Sequence, residues 1–358
     1  MSLIDEPSPL ATRRDPGADG GIDDEAAWLH EMKVAFRDPH RLAARLGLPA
    51  SWAAETQRVT QAVSTFPLFV PRPFVERMRP GNRADPLLLQ VTPQPEELRD
   101  HPDFGPDPVQ DLDARRDAGV IQKYEGRVLL IATGACAAHC RYCFRRHFPY
   151  AEAPHSVAQW DSTLASLGAD SSVTEVILSG GDPLTLRDEP FRALIDRLQL
   201  RVPRMRRCRI HTRLPVLIPQ RVTSQLIDTL TTMTAKPILV VHLNHAQEID
   251  AAVRSVIARL QQAGVMTLNQ AVLLHGINDN LEALIELSES LVDAGIVPYY
   301  LHQLDKVSGA THFEVAEKRG RQLVTQLREK LPGYAVPRYV RDVPGRASKT
   351  WLEVEELV

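Results

Sequence analysis

The sequence predicts an α/β protein: an incomplete (β/α)8 barrel of six β/α units, with a helical wrapping segment before it and a C-terminal tail after it. Three observations predict this. From Arg127 onward, short apolar runs alternate with helix-length polar-apolar stretches, the pattern of parallel strands covered on their outer face. Chemistry-bearing polar residues gather where those runs end, the C-terminal face that barrel enzymes use. Before Arg127 the pattern is first helical and then broken by recurrent prolines.

Residues 1–23 are polar and rich in Asp, Gly and Pro, and are expected to be disordered. Residues 24–110 form an N-terminal helical and irregular region. Within it, Ala26 to Leu46 has apolar residues at helical spacing with a break near Asp38-Pro39, and Phe66 to Pro108 reads as an irregular wrapping segment. Residues 111–315 form the barrel core. Its six expected strands are Val128–Ala132, Thr174–Leu178, Cys208–His211, Ile238–His242, Leu268–Leu274 and Val297–Leu301. At or just beyond their ends stand Cys136, Ser179 to Asp182, His211 to Arg213, His242, Gln270 and Asp305. Residues 316–358 are a C-terminal segment, with Tyr334 to Val358 as a tail.

Composition excludes several classes. Of 358 residues, 44% are apolar and 24% charged, as in an ordinary globular protein. A formal net charge of −3 carries no basic surplus pointing to nucleic acid or an anionic membrane. No apolar run reaches the length of a membrane span, and the acidic opening stretch lacks a secretory core. Four cysteines are too few for a disulfide scaffold, so a reducing, cytoplasmic setting is expected. Only seven lysines are present, which leaves few candidates for a lysine nucleophile.

Three of the four cysteines fall within eight residues: Cys136, Cys140 and Cys143, spaced C-x3-C-x2-C after the first expected strand. Thiolates this close serve a metal or a cluster. One reading is structural zinc with His139 as a fourth ligand, but zinc sites are usually built from two separated ligand pairs. A [4Fe–4S] cube takes four ligands, so three cysteines leave one iron open to another molecule. The remaining Cys208 lies on an expected strand and reads as a small core residue.

This triple in this strand context resembles the radical S-adenosylmethionine superfamily. The resemblance implies that the open iron is chelated by S-adenosylmethionine, whose reductive cleavage by an electron donor yields a carbon radical. Tyr142 matches the position beside the adenine. Ser179, Gly180, Gly181 and Asp182 match the motif that contacts the cofactor's amino group, and the glycines are read as letting backbone approach the ligand. Arg213 and Gln270 match further cofactor contacts, and His242 lies at the same barrel end.

The longer run Cys140-Arg-Tyr-Cys143-Phe-Arg145-Arg146-His147-Phe148 narrows the match. With Arg209 to Pro215, His242 to His245, Asn269-Gln270 and Ser348-Lys349-Thr350, it resembles the lysine 2,3-aminomutases from about Leu29 to Thr350. The chain looks most like the short branch that supplies β-lysine for modifying elongation factor P, since it ends nine residues after Lys349. The resemblance implies a second cofactor, pyridoxal 5′-phosphate, held by Lys349 as a Schiff base, with Lys123 and Arg127 at the phosphate. It also assigns Arg145 to the carboxylate of an L-lysine substrate and Asp305 and Asp342 to its distal ammonium. A buried ammonium needs such partners, so the acid pair favours lysine over glutamate more strongly than over ornithine or arginine. The expected enzyme is an isomerase, and the wrapping segment is compatible with a homo-oligomer.

Overall fold

The computed structural model describes residues 21–154 and 159–352. Its centre is one ten-stranded sheet in which spatial order follows chain order. The strands are β1 (Arg115–Asp117), β2 (Val120–Tyr124), β3 (Arg127–Thr133), β4 (Glu175–Gly180), β5 (Arg207–Thr212), β6 (Lys236–Val241), β7 (Met266–Leu273), β8 (Val297–Gln303), β9 (Arg338–Arg341) and β10 (Thr350–Trp351). Neighbours from β3 through β9 are parallel; β1 and β2 at one edge and β10 at the other pair antiparallel. Strands β3 and β9 do not pair, so the barrel is open on that side. Side chains reach across the opening, where the hydroxyl of Tyr124, the last residue of β2, donates to Asp342 after β9 at 3.0 Å.

All six expected strands are present, from β3 to β8. Two corrections apply at the ends. The expected tail contains a seventh parallel strand, β9, and the short β10 folds back on it. Arg-Tyr-Val-Arg is too short and too charged to stand out as an apolar run, and it follows Pro337. At the other end, β1 and β2 form an antiparallel ribbon leading into β3. The expectation for residues 1–23 lies outside the described residues as far as residue 20, and a helix starts at Gly21. The expected break at Asp38-Pro39 separates helices Gly21–Val34 and Pro39–Leu46, and the Asp38 carboxylate caps the second by accepting from the His40 N–H. Among the described residues no helix is long and apolar enough to cross a membrane.

Helices Trp160–Ala169, Asp188–Arg201, Ser224–Thr231, Ala251–Gln262, Leu281–Asp293 and Glu317–Lys330 connect successive parallel strands. They cover the outer face, where Val176, Leu178, Cys208, Ile210, Leu239 and Val241 are at most 1% exposed. The opposite face lines the lumen. Paired positions on parallel strands share a face, which places Gln270 beside Tyr300 and Val272 beside His302. Arg209, His211, His242, Tyr300 and His302 all remain half-buried on this side.

The wrapping segment closes the lumen's C-terminal mouth. Arg77 reaches the carbonyls of Val216 and Glu248, and Gly105 bridges to Val307. Short turns cut by Pro73, Pro86 and Pro95 carry Gln90 and Glu97 into the interior, where both are buried.

Candidate active site at the barrel mouth

The cysteine loop leaves β3 at Thr133 and is stitched to the end of β4. The N–H groups of Gly181 and Asp182 donate to the carbonyls of Thr133 and Ala135 at 2.8 and 2.7 Å. A Cβ on Gly181 would stand 2.2 Å from the Ala135 carbonyl oxygen, and Gly180, at φ +122°, would meet the Thr133 carbonyl at 2.5 Å. The glycines are therefore required by the approach of two backbone segments to each other, which the sequence reading had ascribed to the ligand. Gly181→Ala should destabilise the protein by about 3 kcal/mol, since backbone cannot move aside as a side chain can. Thermal denaturation tests this, and a wild-type melting temperature would refute the close approach.

Asp182 is consumed by the same junction. One carboxylate oxygen accepts from the Thr212 hydroxyl at 2.7 Å and the Leu184 N–H; the other accepts from the Arg213 and Leu214 N–H groups. Its side chain ties the end of β4 to that of β5, while Ser179 Oγ accepts from Arg145 and the Gly180 carbonyl from the Tyr150 hydroxyl.

Cys136, Cys140 and Cys143 are free and half-buried. Burial pushes the Cys136 thiol well up and the Cys143 thiol to about 11, and the neighbouring sulfurs push each further the same way. The sulfurs thus lie near enough to feel one another's charge, although among the described residues no set of three His, Cys, Asp or Glu side chains is gathered closely enough to hold an ion as it stands. The donor chemistry fits an iron–sulfur cluster: soft sulfurs whose ionisation in a buried setting calls for a bound cation. His139 Nδ1 lies 2.8 Å from the Pro67 carbonyl and its ring stacks on Phe66, so the wrapping segment holds this side chain.

Arg213 stands beside the cysteines. It donates to Cys140 Sγ at 2.9 Å, Gln90 Oε1 at 2.6 Å and Glu248 Oε2 at 2.9 Å. Burial opposes its charge, but Cys140, Tyr142 and Glu248 outweigh that and hold it cationic. The Gln90 oxygen also accepts from the Tyr142 hydroxyl and from Asn244. Sequence reading found Arg213 and Tyr142 but missed Gln90 and Glu248; the only local signal was the Asp85-Pro86 helix start, which Asp85 caps. Gln270 is buried on the lumen face of β7. The His242 ring lies edge-on to His211 at 6.2 Å, and burial with Arg213 nearby lowers its pKa to about 4, so it is neutral.

On the open side of the barrel, Lys349 Nζ lies 3.2 Å from Asp342 Oδ2, while Asp342 Oδ1 accepts from Tyr124. Burial raises the Asp305 carboxyl to about 7, with Lys349 pulling down and Asp342 pushing up. Lys349 and Asp342 thus pair, and Asp305 lies near enough to feel both charges. Arg127 stacks its guanidinium 4.7 Å over the Tyr124 ring, and its buried Nε has no partner among the described residues. An unsatisfied buried N–H of a permanent cation suits a phosphate oxygen, so this corner fits pyridoxal phosphate.

Arg145 and Lys123 meet at one buried carboxylate, Asp111, at 2.6 and 2.7 Å. Arg145 Nη1 also donates to Ser179 Oγ at 3.1 Å. A guanidinium and an ammonium converging on the mouth suit anionic ligand groups. Next to them, a cavity of ≈ 300 Å³ is lined by Lys123, Tyr124, Asp342 and Arg346.

Residues 130–288 match the model of the radical SAM superfamily. The L-lysine 2,3-aminomutase of Escherichia coli K12 is 42% identical over 92% of this chain and 95% of its own length. That of Haemophilus influenzae is 40% identical over 92% and 96%, and that of Clostridium subterminale 32% identical over 83% and 71%. Likeness at this level runs through the wrapping segment and both halves of the barrel, and by it the chain belongs to the L-lysine 2,3-aminomutase family of the radical SAM superfamily.

Proposed function

We propose that this chain is an isomerase that moves the α-amino group of L-lysine to the β-carbon, with a [4Fe–4S] cluster on Cys136, Cys140 and Cys143, S-adenosylmethionine, and pyridoxal phosphate on Lys349. The observation that carries the reading is the ion pair of Lys349 with Asp342, with the buried Asp305 carboxyl close enough to feel both charges, at a mouth whose other cations centre on Arg145. Such a site is complementary to a diamino acid, carboxylate at one end and ammonium at the other.

When bound, the cluster and S-adenosylmethionine supply an organic radical for hydrogen abstraction, and pyridoxal phosphate supplies the conjugated carrier for the migrating amino group. The chain's residues hold and enclose. Arg145 takes the substrate carboxylate, and Asp305 and Asp342 take its distal ammonium. Arg127 and Lys123 take the cofactor phosphate. Arg213 fixes charge beside Cys140, and Tyr142 and Gln270 form the wall for the nucleoside. The wrapping segment keeps water from the mouth, which strengthens each charge contact. In this reading the enzyme works in the cytoplasm, draws on an electron donor, and supplies β-lysine for elongation factor P.

The test is an anaerobic assay of L-lysine to β-lysine conversion with dithionite, S-adenosylmethionine and pyridoxal phosphate, leaving out one component at a time. Conversion is expected only with all present. Ornithine and arginine run in parallel, because the acid pair accepts any distal cation. Turnover of one of them in place of lysine would reassign the substrate within the family.

A further inference from the structure

Asp111 is 2% exposed and lies outside every motif at the strand ends. Its Oδ2 accepts from Arg145 Nε at 2.6 Å and its Oδ1 from Lys123 Nζ at 2.7 Å. Each cation has one further anchor: the Ser179 hydroxyl for Arg145 at 3.1 Å, and the Val109 carbonyl for Lys123 at 2.6 Å. Among the described residues nothing accepts from Arg145 Nη2, so the guanidinium is held through Nε and Nη1 and leaves Nη2 for a ligand. The turn presenting Asp111 is itself held. The Asp107 carboxylate accepts from the Asp111 and Leu112 N–H groups at 3.0 and 2.9 Å, and Gln110 adopts φ +53°, the sole positive φ of a non-glycine among the described residues.

We propose that Asp111 is a positioning residue that orients Arg145 for the substrate carboxylate and Lys123 for the cofactor phosphate, and thereby links the two anion sites. This rests on the function proposed above. Burial opposes the Asp111 charge, but Arg145 and Lys123 outweigh it and keep the carboxyl ionised. One anion between two cations leaves this three-residue cluster with a net single positive charge, which attracts an anionic group. Without it the two cations repel, and Arg145 swings off Ser179.

Asp111→Asn keeps the side-chain shape and removes the charge. The test compares equilibrium binding of L-lysine with that of L-lysinamide, which has the same ammonium end and no carboxylate, and of pyridoxal phosphate with pyridoxal, which has no phosphate. The variant should bind lysine and pyridoxal phosphate on the order of tenfold or more weaker, with lysinamide and pyridoxal changed by less than about threefold. Asp111→Glu, which keeps the charge on a longer arm, should recover part of the loss, and it provides the same comparison if the asparagine variant does not fold. Equal losses for lysine and lysinamide mean a merely structural role and overturn the proposal, as does unchanged binding. A wild-type protein that fails to bind lysine overturns the proposed function and this inference with it, so the two failures are told apart by the wild type alone.

Discussion

Lys349→Ala is expected to abolish lysine turnover, by on the order of a thousandfold or more, while leaving iron content and fold unchanged. The lysine is placed by elements that do not depend on its amine. Ahead of it, Pro344 and the left-handed Gly345 (φ +75°) turn the chain back after β9. Behind it, Thr350 and Trp351 pair with Arg341 and Val340, and Arg338 stacks 4.6 Å over the Trp351 ring. Truncation at Cβ therefore removes the ammonium and little else. What it does disturb is local charge: Asp342 loses a partner at 3.2 Å, and the Asp305 carboxyl, which Lys349 pulls down, rises. Gel filtration with added pyridoxal phosphate should show cofactor retained by the wild type and lost from the variant, with equal iron in both. Normal β-lysine formation by the variant would remove Lys349 from the chemistry.

Legibility in the sequence followed the range of the contacts. Strands β3, β4 and β6 stood out because each buries a continuous apolar run, and β5, β7 and β8, with polar residues interspersed, stood out by their place in the strand–helix alternation. Strand β9 did not, because only Tyr339 and Val340 of its four residues are apolar and its place comes from pairing with β8. The cysteines were readable from their spacing, Ser179 to Asp182 only in company with that triple, and Lys349 only through the family resemblance. Gln90, Glu248 and Asp111 were not. Gln90 matters through Arg213, 123 positions away, and Asp111 through Arg145, 34 positions away. No local pattern distinguishes either from an ordinary surface residue until the wrapping segment has folded over the mouth. Gly180 and Gly181 show a subtler gap. Their need for glycine was evident, but the crowding partner is the neighbouring loop's backbone, a long-range fact.

The affinity for lysine should rise with pH through about 7 in the wild type and lose that rise in Asp305→Asn. Free aspartate ionises near 4, whereas burial raises the folded Asp305 carboxyl to about 7, the Lys349 charge notwithstanding. The folded state thus prefers the protonated form. Any stability from this group is fully present below the unfolded value and is lost as pH rises through 7. Substrate binding has the opposite demand, since a distal ammonium in this pocket needs the carboxylate. Below pH 7 each bound lysine must expel a proton from Asp305, so its KM should fall by up to about tenfold per pH unit and level off above 7. Asparagine can neither ionise nor balance the charge, which leaves Asp342 alone against the ammonium. Its KM should be higher by about a hundredfold and flat with pH across this range. A wild-type KM that does not change between pH 6 and 8 would mean that the ammonium does not meet Asp305, and the assignment of lysine's distal end to this corner would fall. A slope that persists in Asp305→Asn would place the titrating group elsewhere and remove Asp305 from the pH dependence.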